Sequence, residues 1–94
     1  MDCETKIKTY IQRVIDGTSS SVTFIRKSTY AGRLEVEVNS YGVRVGSSYT
    51  GYSLYKMKPT EIEVWTDRRG DVIIGNKHNY TFANMGKEEP KVIY

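Results

Sequence analysis

Apolar residues near the start of the chain recur with the spacing of one face of an α-helix. The pattern covers residues 2–16, and its apolar members are Cys3, Ile7, Tyr10, Ile11, Val14 and Ile15. Residues at i, i+3, i+4 and i+7 share one side of a helix, so this segment is predicted to be amphipathic. Asp2 suits the N-cap, and Gly17 suits the left-handed conformation that ends many helices. Cys3 is interpreted as a small buried hydrophobic residue rather than as a nucleophile.

A strict two-residue alternation over residues 33–39 predicts a β-strand with one apolar face and one solvent-exposed face. Val36 and Val38 point one way, while the charged and polar side chains between them point the other. The apolar face continues across the following turn only if Val38 pairs with Val43 and Val36 pairs with Val45. A shift by one residue would bring a charged side chain onto that face, so the side-chain period selects the register.

Shorter apolar runs, punctuated by turn residues, predict the rest of a small sheet. Further strands are expected at residues 22–27, 49–57, 61–66 and 72–75, with a short last strand at 80–82. The turn sequence DRRG joins two of these strands into a hairpin. Pairing across that turn sets Val64 opposite Ile74 on one face, and Trp65 opposite Ile73 on the other.

The elements together predict an α+β fold. We expect the N-terminal amphipathic helix to pack on one curved antiparallel sheet of about six short strands, or on a partly open small barrel. Residues 1–94 form a single domain in this interpretation, and residues 83–94 form a mobile C-terminal tail. The predicted core consists of Ile7, Ile11, Val14, Val36, Val38, Val43, Val45, Ile62, Val64 and Ile74.

Composition supports a sheet-rich fold and a chain that works in a reducing compartment. Valine and isoleucine number seventeen against two leucines and two alanines, and β-branched residues favour strands over helices. One cysteine leaves no internal disulfide, and no signal peptide or apolar run of about 20 residues is visible. The prediction is therefore a cytoplasmic protein without a membrane segment.

Positive charge is modest but unevenly distributed. The formal net charge is +3, yet residues 17–34 and 40–58 contain no acid. These two segments could merge into one basic surface. Ordinary solubilising charge is the alternative interpretation.

No residue pattern typical of a catalytic centre is present. His78 is the single histidine; it lies in a polar stretch, at the opposite end of the chain from Cys3, and is interpreted as solvated. Glu61, Glu63, Asp67 and Asp71 could together hold Mg²⁺ in a metal-dependent nuclease, but acids of this kind also belong on wet strand faces and in turns. We therefore predict no enzyme activity, no metal site and no cofactor.

The acid-free segment 40–58 carries an excess of tyrosine, and it supplies most of the candidate binding residues. These are Tyr41, Arg44, Tyr49, Tyr52, Tyr55, Lys56 and Lys58, with Trp65, Arg68 and Arg69 as a second patch. Alternation places tyrosines on both faces of strand 49–57. Either Tyr52 with Leu54 or Tyr55 with Met57 is expected inside, and Tyr41 is expected at an exposed turn.

Exposed tyrosine beside arginine and lysine suits two kinds of partner. Such residues dominate protein interfaces, and their rings also stack on unpaired bases while the cations contact phosphates. Several glutamates line the solvent-exposed strand faces. We therefore favour a protein-interaction or inhibitor module of the accessory or virus-encoded type. Its partner could itself be a protein that handles nucleic acid. Direct binding of single-stranded nucleic acid is the alternative, and a metal-dependent nuclease is the second alternative. The chain is expected to be a monomer or a homodimer paired through the edge strand 49–57.

Overall fold

The computed structural model describes residues 2–28, 32–47, 49–77 and 79–94. Within those residues the chain forms one helix followed by strands. The elements are α1 (Cys3–Ile15), β1 (Ser21–Ser28), β2 (Gly32–Asn39), β3 (Gly42–Ser47), β4 (Gly51–Lys56), a 3-10 turn (Pro59–Glu61), β5 (Glu63–Thr66), β6 (Val72–Asn76), β7 (Tyr80–Asn84) and β8 (Lys91–Ile93). His78 was predicted to be solvated, and it lies outside the described residues.

The strands form two antiparallel sheets. The larger sheet has five strands in the order β4-β3-β2-β1-β8, and the smaller has three in the order β5-β6-β7. The α+β class is thus confirmed, but the expected single sheet of about six strands is corrected to two, and they do not close into a barrel. The division falls at Pro59, which opens the 3-10 turn. Because proline has no amide hydrogen to continue a ladder, β5 starts a new sheet.

Both predicted hairpin registers are confirmed. In the β2–β3 pair, Val38 faces Val43 and Val36 faces Val45. In the β5–β6 pair, Val64 faces Ile74 and Trp65 faces Ile73. Each turn is held by its first side chain: Asn39 Oδ1 accepts from the amides of Tyr41 and Gly42 at 2.8 and 3.1 Å, and Asp67 Oδ1 accepts from those of Arg69 and Asp71 at 2.9 and 3.0 Å.

The helix begins and ends as its sequence predicts. Asp2 is the N-cap, and its side chain accepts a hydrogen bond from the Thr5 amide at 2.7 Å. Gly17 has a φ of +79°, a left-handed conformation that costs little only for glycine. Cys3 is buried, as predicted, and its Sγ donates to the Glu88 carbonyl at 3.7 Å.

The core lies between the helix and the two sheets. Nine of the ten predicted core residues are buried, and the tenth, Ile62, is half-buried against the others. Side chains from both sheets and from α1 belong to one continuous cluster. Besides Cys3, whose burial was predicted, its members that the sequence pattern did not single out for the core are Val22, Phe24, Val72, Phe82, Ala83 and Met85.

Residues 83–94, which were predicted to form a mobile tail, are packed against the fold. Met85 is fully buried. Strand β8 pairs with β1, with Val92 opposite Phe24, and Arg26 Nη1 donates to the Asn84 carbonyl at 2.7 Å. Three residues are too few to show a strand period, so the sequence pattern could not reveal β8.

One polar contact ties the helix to the small sheet and should make stability depend on pH. Lys8 Nζ and Thr66 Oγ1 donate to Glu4 at 2.9 and 2.8 Å. Both bonds lower the pKa of Glu4 below its ordinary value of 4.5, and the bond from Lys8 has the larger effect. A carboxyl with a lowered folded-state pKa stabilises the fold above its unfolded pKa, and it loses that contribution as pH falls through the lowered value.

We therefore expect Glu4→Gln to unfold at a lower urea concentration than the parent chain at pH 7, and at nearly the same concentration at pH 2.5. The difference should stay below about 1 kcal/mol because the contact is exposed. Urea titrations at both pH values measure it. A difference that is the same at both would show that the Glu4 charge contributes nothing.

Candidate functional site

Three of the predicted binding residues, Arg44, Tyr52 and Lys56, lie on the outer face of the five-stranded sheet. Val36, Val38, Val43 and Val45 point into the core, so their strand neighbours point away from it. The outward-facing side chains are Thr23, Ile25, Lys27, Arg33, Glu35, Glu37, Arg44, Tyr52, Leu54, Lys56, Lys91 and Ile93. Tyr52, Leu54 and Ile93 keep 44%, 61% and 48% of their surface exposed. Apolar area is therefore open to solvent at both edges of this sheet.

A chain of contacts orders the side chains across the outer face. The Arg44 guanidinium carbon lies 3.9 Å from the centroid of the Tyr52 ring, a distance at which the cation is attracted to the ring face. The Tyr52 hydroxyl lies 3.3 Å from Glu35 Oε2, and Arg33 Nε lies 3.0 Å from Glu35 Oε1. Gly46 pairs with both Glu35 and Tyr52, so no side chain separates them. The Arg44 and Tyr52 side chains are thereby held against each other.

The four tyrosines of segment 40–58 do not form one cluster. Tyr41 is 84% exposed in the β2–β3 turn, and Tyr49 is 78% exposed in the β3–β4 turn, so they lie at opposite ends of β3. Tyr55 points inward, and its ring stacks on Phe82 with centroids 4.4 Å apart. Burial raises the pKa of Tyr55. Of the two predicted arrangements, Tyr55 with Met57 inside is confirmed.

Lys56 and Lys58 lie at the Tyr41 end of the sheet. Both side chains are exposed. They flank Met57, whose amide donates to the Tyr41 carbonyl at 3.2 Å. This end therefore presents one exposed ring near two lysines, apart from the Arg44–Tyr52 stack.

Strand β4 forms an open edge of the larger sheet. In antiparallel pairing, a residue directs both of its backbone polar groups to the same neighbour, and the next residue directs them away. The Met57 amide bonds to the β3 side, and the register from there through Gly51 is regular. The backbone groups of Tyr52, Leu54 and Lys56 therefore point outward from the sheet, where no described strand pairs with them.

A basic depression lies at the end of the sheet that carries Tyr49. It has a volume of about 440 Å³, and its lining residues are Ile25, Arg26, Lys27, Gly32, Arg33 and Lys91. Ladder pairing creates it, because Lys91 lies opposite Ile25 and Lys27 lies opposite Arg33. The sequence interpretation missed Lys91, since it placed that residue in a tail.

The second predicted patch lies on the smaller sheet. Trp65 is half-buried, and a Cβ added to Gly75 would lie 2.8 Å from its Cη2, so the ring covers that glycine. Arg69 Nη2 lies 3.5 Å from Asp67 and 3.9 Å from Asp71. Arg68 is exposed in the same turn. The structure does not bring these residues onto the outer face of the larger sheet.

Three of the four carboxylates considered for a metal site have structural partners. Glu61 accepts from the Lys58 amide at 3.0 Å, Asp67 holds its own turn, and Asp71 accepts from Asn84 Nδ2 at 3.2 Å. Across residues 2–28, 32–47, 49–77 and 79–94, no group of three or more histidine, cysteine, aspartate or glutamate side chains could hold a metal ion. Burial raises the pKa of the Cys3 thiol, which keeps it protonated and weakly nucleophilic.

No protein-family model matches the chain, and neither a curated protein nor a solved structure shows significant similarity to it. The part of the chain that the structure describes contains no helix long and apolar enough to cross a membrane. The fold defines an α+β protein with two antiparallel sheets, and a fold of this kind does not by itself imply a function.

Proposed function

We propose that the chain is a small, non-enzymatic protein-interaction module that docks by adding a strand of its partner to the open edge of β4. The observation that carries the proposal is this edge: it ends the larger sheet and exposes Tyr52 and Leu54. Exposed edges of this kind are templates for pairing with another chain.

Backbone groups give the edge its affinity. Tyr52, Leu54 and Lys56 direct their amide and carbonyl groups away from β3, in the spacing that an incoming antiparallel or parallel strand needs. Proline, a common means of blocking an edge, is absent from β4, and its one charged residue is Lys56 at the end. The first part of the strand is thus open to a partner.

Side chains beside the edge give it specificity. Leu54 and Tyr52 supply apolar area, and Arg44 supplies a cation that is already oriented by the Tyr52 ring. Tyrosine and arginine are enriched among the residues that dominate protein interfaces. The surface therefore suits an extended segment that carries alternating apolar side chains and a carboxylate for Arg44. Capture of such a segment inhibits any partner that needs it elsewhere.

Charge on this face favours protein over nucleic acid. Glu35 and Glu37 lie on the central strand of the outer face, and Glu37 pairs directly with Arg44 in the ladder. The Glu37 carboxylate would repel a phosphate backbone laid along this part of the face, whereas Arg33 already neutralises Glu35. A protein partner tolerates mixed charge and gains from the exposed apolar area.

A proline at the edge tests the docking mode. Leu54→Pro removes one outward amide and leaves the β3–β4 ladder bonds in place, because the Leu54 amide does not point toward β3. A partner captured from nuclease-treated lysate, identified by mass spectrometry and purified, should bind this variant at least about tenfold more weakly. Leu54→Thr keeps the amide and should weaken binding less than Leu54→Pro does. Interferometry measures both affinities.

A matched control lies at the other edge of the same face. Ile93→Thr removes exposed apolar area from β8 as Leu54→Thr does from β4, and it should leave the affinity unchanged. Equal binding by the parent chain and Leu54→Pro, with both folded by circular dichroism, rejects strand addition at β4. A concentration-dependent dimer that Leu54→Pro dissociates, seen by analytical ultracentrifugation, would instead assign the edge to a second copy of this chain.

A further inference from the structure

We infer that the basic depression at the Tyr49 end of the sheet binds a single-stranded nucleic acid, with phosphates on its cations and a base on the Tyr49 ring. Its described lining contains no carboxylate, and the cationic side chains of Lys27, Arg33 and Lys91 lie on the same face of the sheet beside Ile25 and Gly32. This site goes beyond the docking edge proposed above, because it uses different residues and a different class of ligand.

The cations of the depression are available to an anion. Lys27 and Lys91 are exposed, and neither belongs to any ion pair of the described residues. Arg26 is fixed by two backbone carbonyls, those of Lys27 at 3.1 Å and Asn84 at 2.7 Å. Its guanidinium also lies against Gly86, which does not line the depression, so Lys27, Arg33 and Lys91 supply the accessible charge.

On the outer face, the Glu35 carboxylate lies next to the depression, and its charge is already compensated. Glu88 and Glu89 line an adjoining cavity, where Lys6 Nζ lies 3.1 Å from Glu89 Oε2. Glu35 pairs with Ile25 in the ladder. Its Oε1 lies 3.0 Å from Arg33 Nε, and its Oε2 accepts from the Tyr52 hydroxyl. Arg33 uses Nε for this contact, and its terminal nitrogens form no ion pair with another described residue, so they can donate to a phosphate. The depression therefore keeps an excess of positive charge on this face, with the cations of Lys27, Arg33 and Lys91 beside one neutralised acid.

An aromatic ring completes the site. A Cβ added to Gly32 would lie 2.8 Å from Cδ2 of Tyr49, so the ring lies directly against this glycine at the rim. Gly32 has a φ of +70°. Glycine suits this position because it adopts the left-handed backbone conformation easily and because a Cβ would collide with the Tyr49 ring. With 78% of its surface exposed, Tyr49 is free to stack on a base.

The combination favours a single strand over other polyanions. Unpaired bases stack on aromatic side chains, whereas the bases of a duplex are already stacked within it. Acidic peptides and sulfated glycans would use the cations but would gain nothing specific from the ring. The difference in affinity between a single strand and these other polyanions therefore depends on Tyr49 and can be measured.

The test uses a fluorescein-labelled dT12 oligonucleotide and fluorescence anisotropy at several salt concentrations. Three phosphate contacts, at Lys27, Arg33 and Lys91, predict a slope of about −2 for log K against log salt on a single strand. The affinity should therefore fall roughly twentyfold between 50 and 200 mM NaCl. Unlabelled duplex of the same length and poly-glutamate serve as competitors.

Two pairs of variants locate the site. Lys27→Gln with Lys91→Gln should reduce the slope to about a third of its value. Lys8→Gln with Lys77→Gln makes the same change in net charge at exposed positions outside the depression and should leave the slope unchanged. Tyr49→Ala should weaken binding roughly five- to hundredfold, while Tyr49→Phe keeps the ring and should bind as the parent chain does.

Several outcomes would overturn the inference. These are no dT12 binding at 50 mM NaCl, an equal effect of the two lysine pairs, and an unchanged affinity in Tyr49→Ala. Poly-glutamate or duplex that competes as well as unlabelled dT12 would identify a general anion surface, and it would reject the single-strand assignment. None of these outcomes bears on the β4 edge, since Leu54 does not line the depression.

Discussion

Replacing Val36 with aspartate unfolds the protein. Val36 is fully buried on β2, between Phe24 of β1 and Val45 of β3. A carboxylate there would lie among apolar side chains without a partner, and burying an unpaired charge costs several kcal/mol or forces the group to stay protonated. A chain of 94 residues has a total stability of roughly 5–14 kcal/mol at usual values per residue. The folded state should therefore be lost, which far-ultraviolet circular dichroism during heating would detect.

The neighbouring position supplies the control. Glu37→Asp also places aspartate in β2, but on the outer face opposite Arg44. It should melt within a few degrees of the parent chain, because it changes strand propensity without burying charge. A Val36→Asp protein with an unchanged melting curve would reject the core described here.

Truncating Phe24 to alanine should cause the next largest loss of stability, about 3–5 kcal/mol. Phe24 has the largest fully buried side chain of the described residues. It lies beside Val36 and Val92 in the ladders, and its ring meets the edge of Tyr10 with centroids 6.5 Å apart. The change leaves a cavity where the helix, β2 and β8 converge. Urea unfolding followed by circular dichroism gives the free energy.

An exposed aromatic residue shows whether burial causes the effect. Tyr52→Ala also removes a ring from the larger sheet, but from its open outer face, and it should cost well under 1 kcal/mol. The pair separates loss of packing from loss of strand propensity. A Phe24→Ala loss no larger than that of Tyr52→Ala would mean that β1 and β8 do not cover the core as described.

The two proposed surfaces share one chain of contacts, from Arg33 through Glu35 and Tyr52 to Arg44. Substitutions within it would disturb both the edge and the depression. The tests therefore use Leu54 at one site and Lys27 with Lys91 at the other. Results at one site then remain interpretable whatever happens at the other.

Local sequence information determined the elements whose residues are close in the chain. The helical period and the Asp2 cap predicted α1, because both act within one or two turns. The registers of β2–β3 and β5–β6 also followed from sequence, because a tight turn leaves few registers and only one keeps valines on the same face. The exposure of Tyr41 followed in the same way from its place in a turn.

Contacts between distant segments decided the rest. The sequence could not show that the chain divides into two sheets at Pro59, since a hairpin has the same sequence pattern in either sheet. Residues 83–94 looked like a tail, because β8 becomes a strand only through pairing with β1. That pairing brings Lys91 beside Ile25, and the contact of Tyr49 with Gly32 brings an aromatic ring to the same place. The sequence by itself therefore determined the local elements and the register of each tight hairpin, whereas only the tertiary structure decided which side chains share a surface, because surface neighbours depend on long-range pairing that no local period encodes.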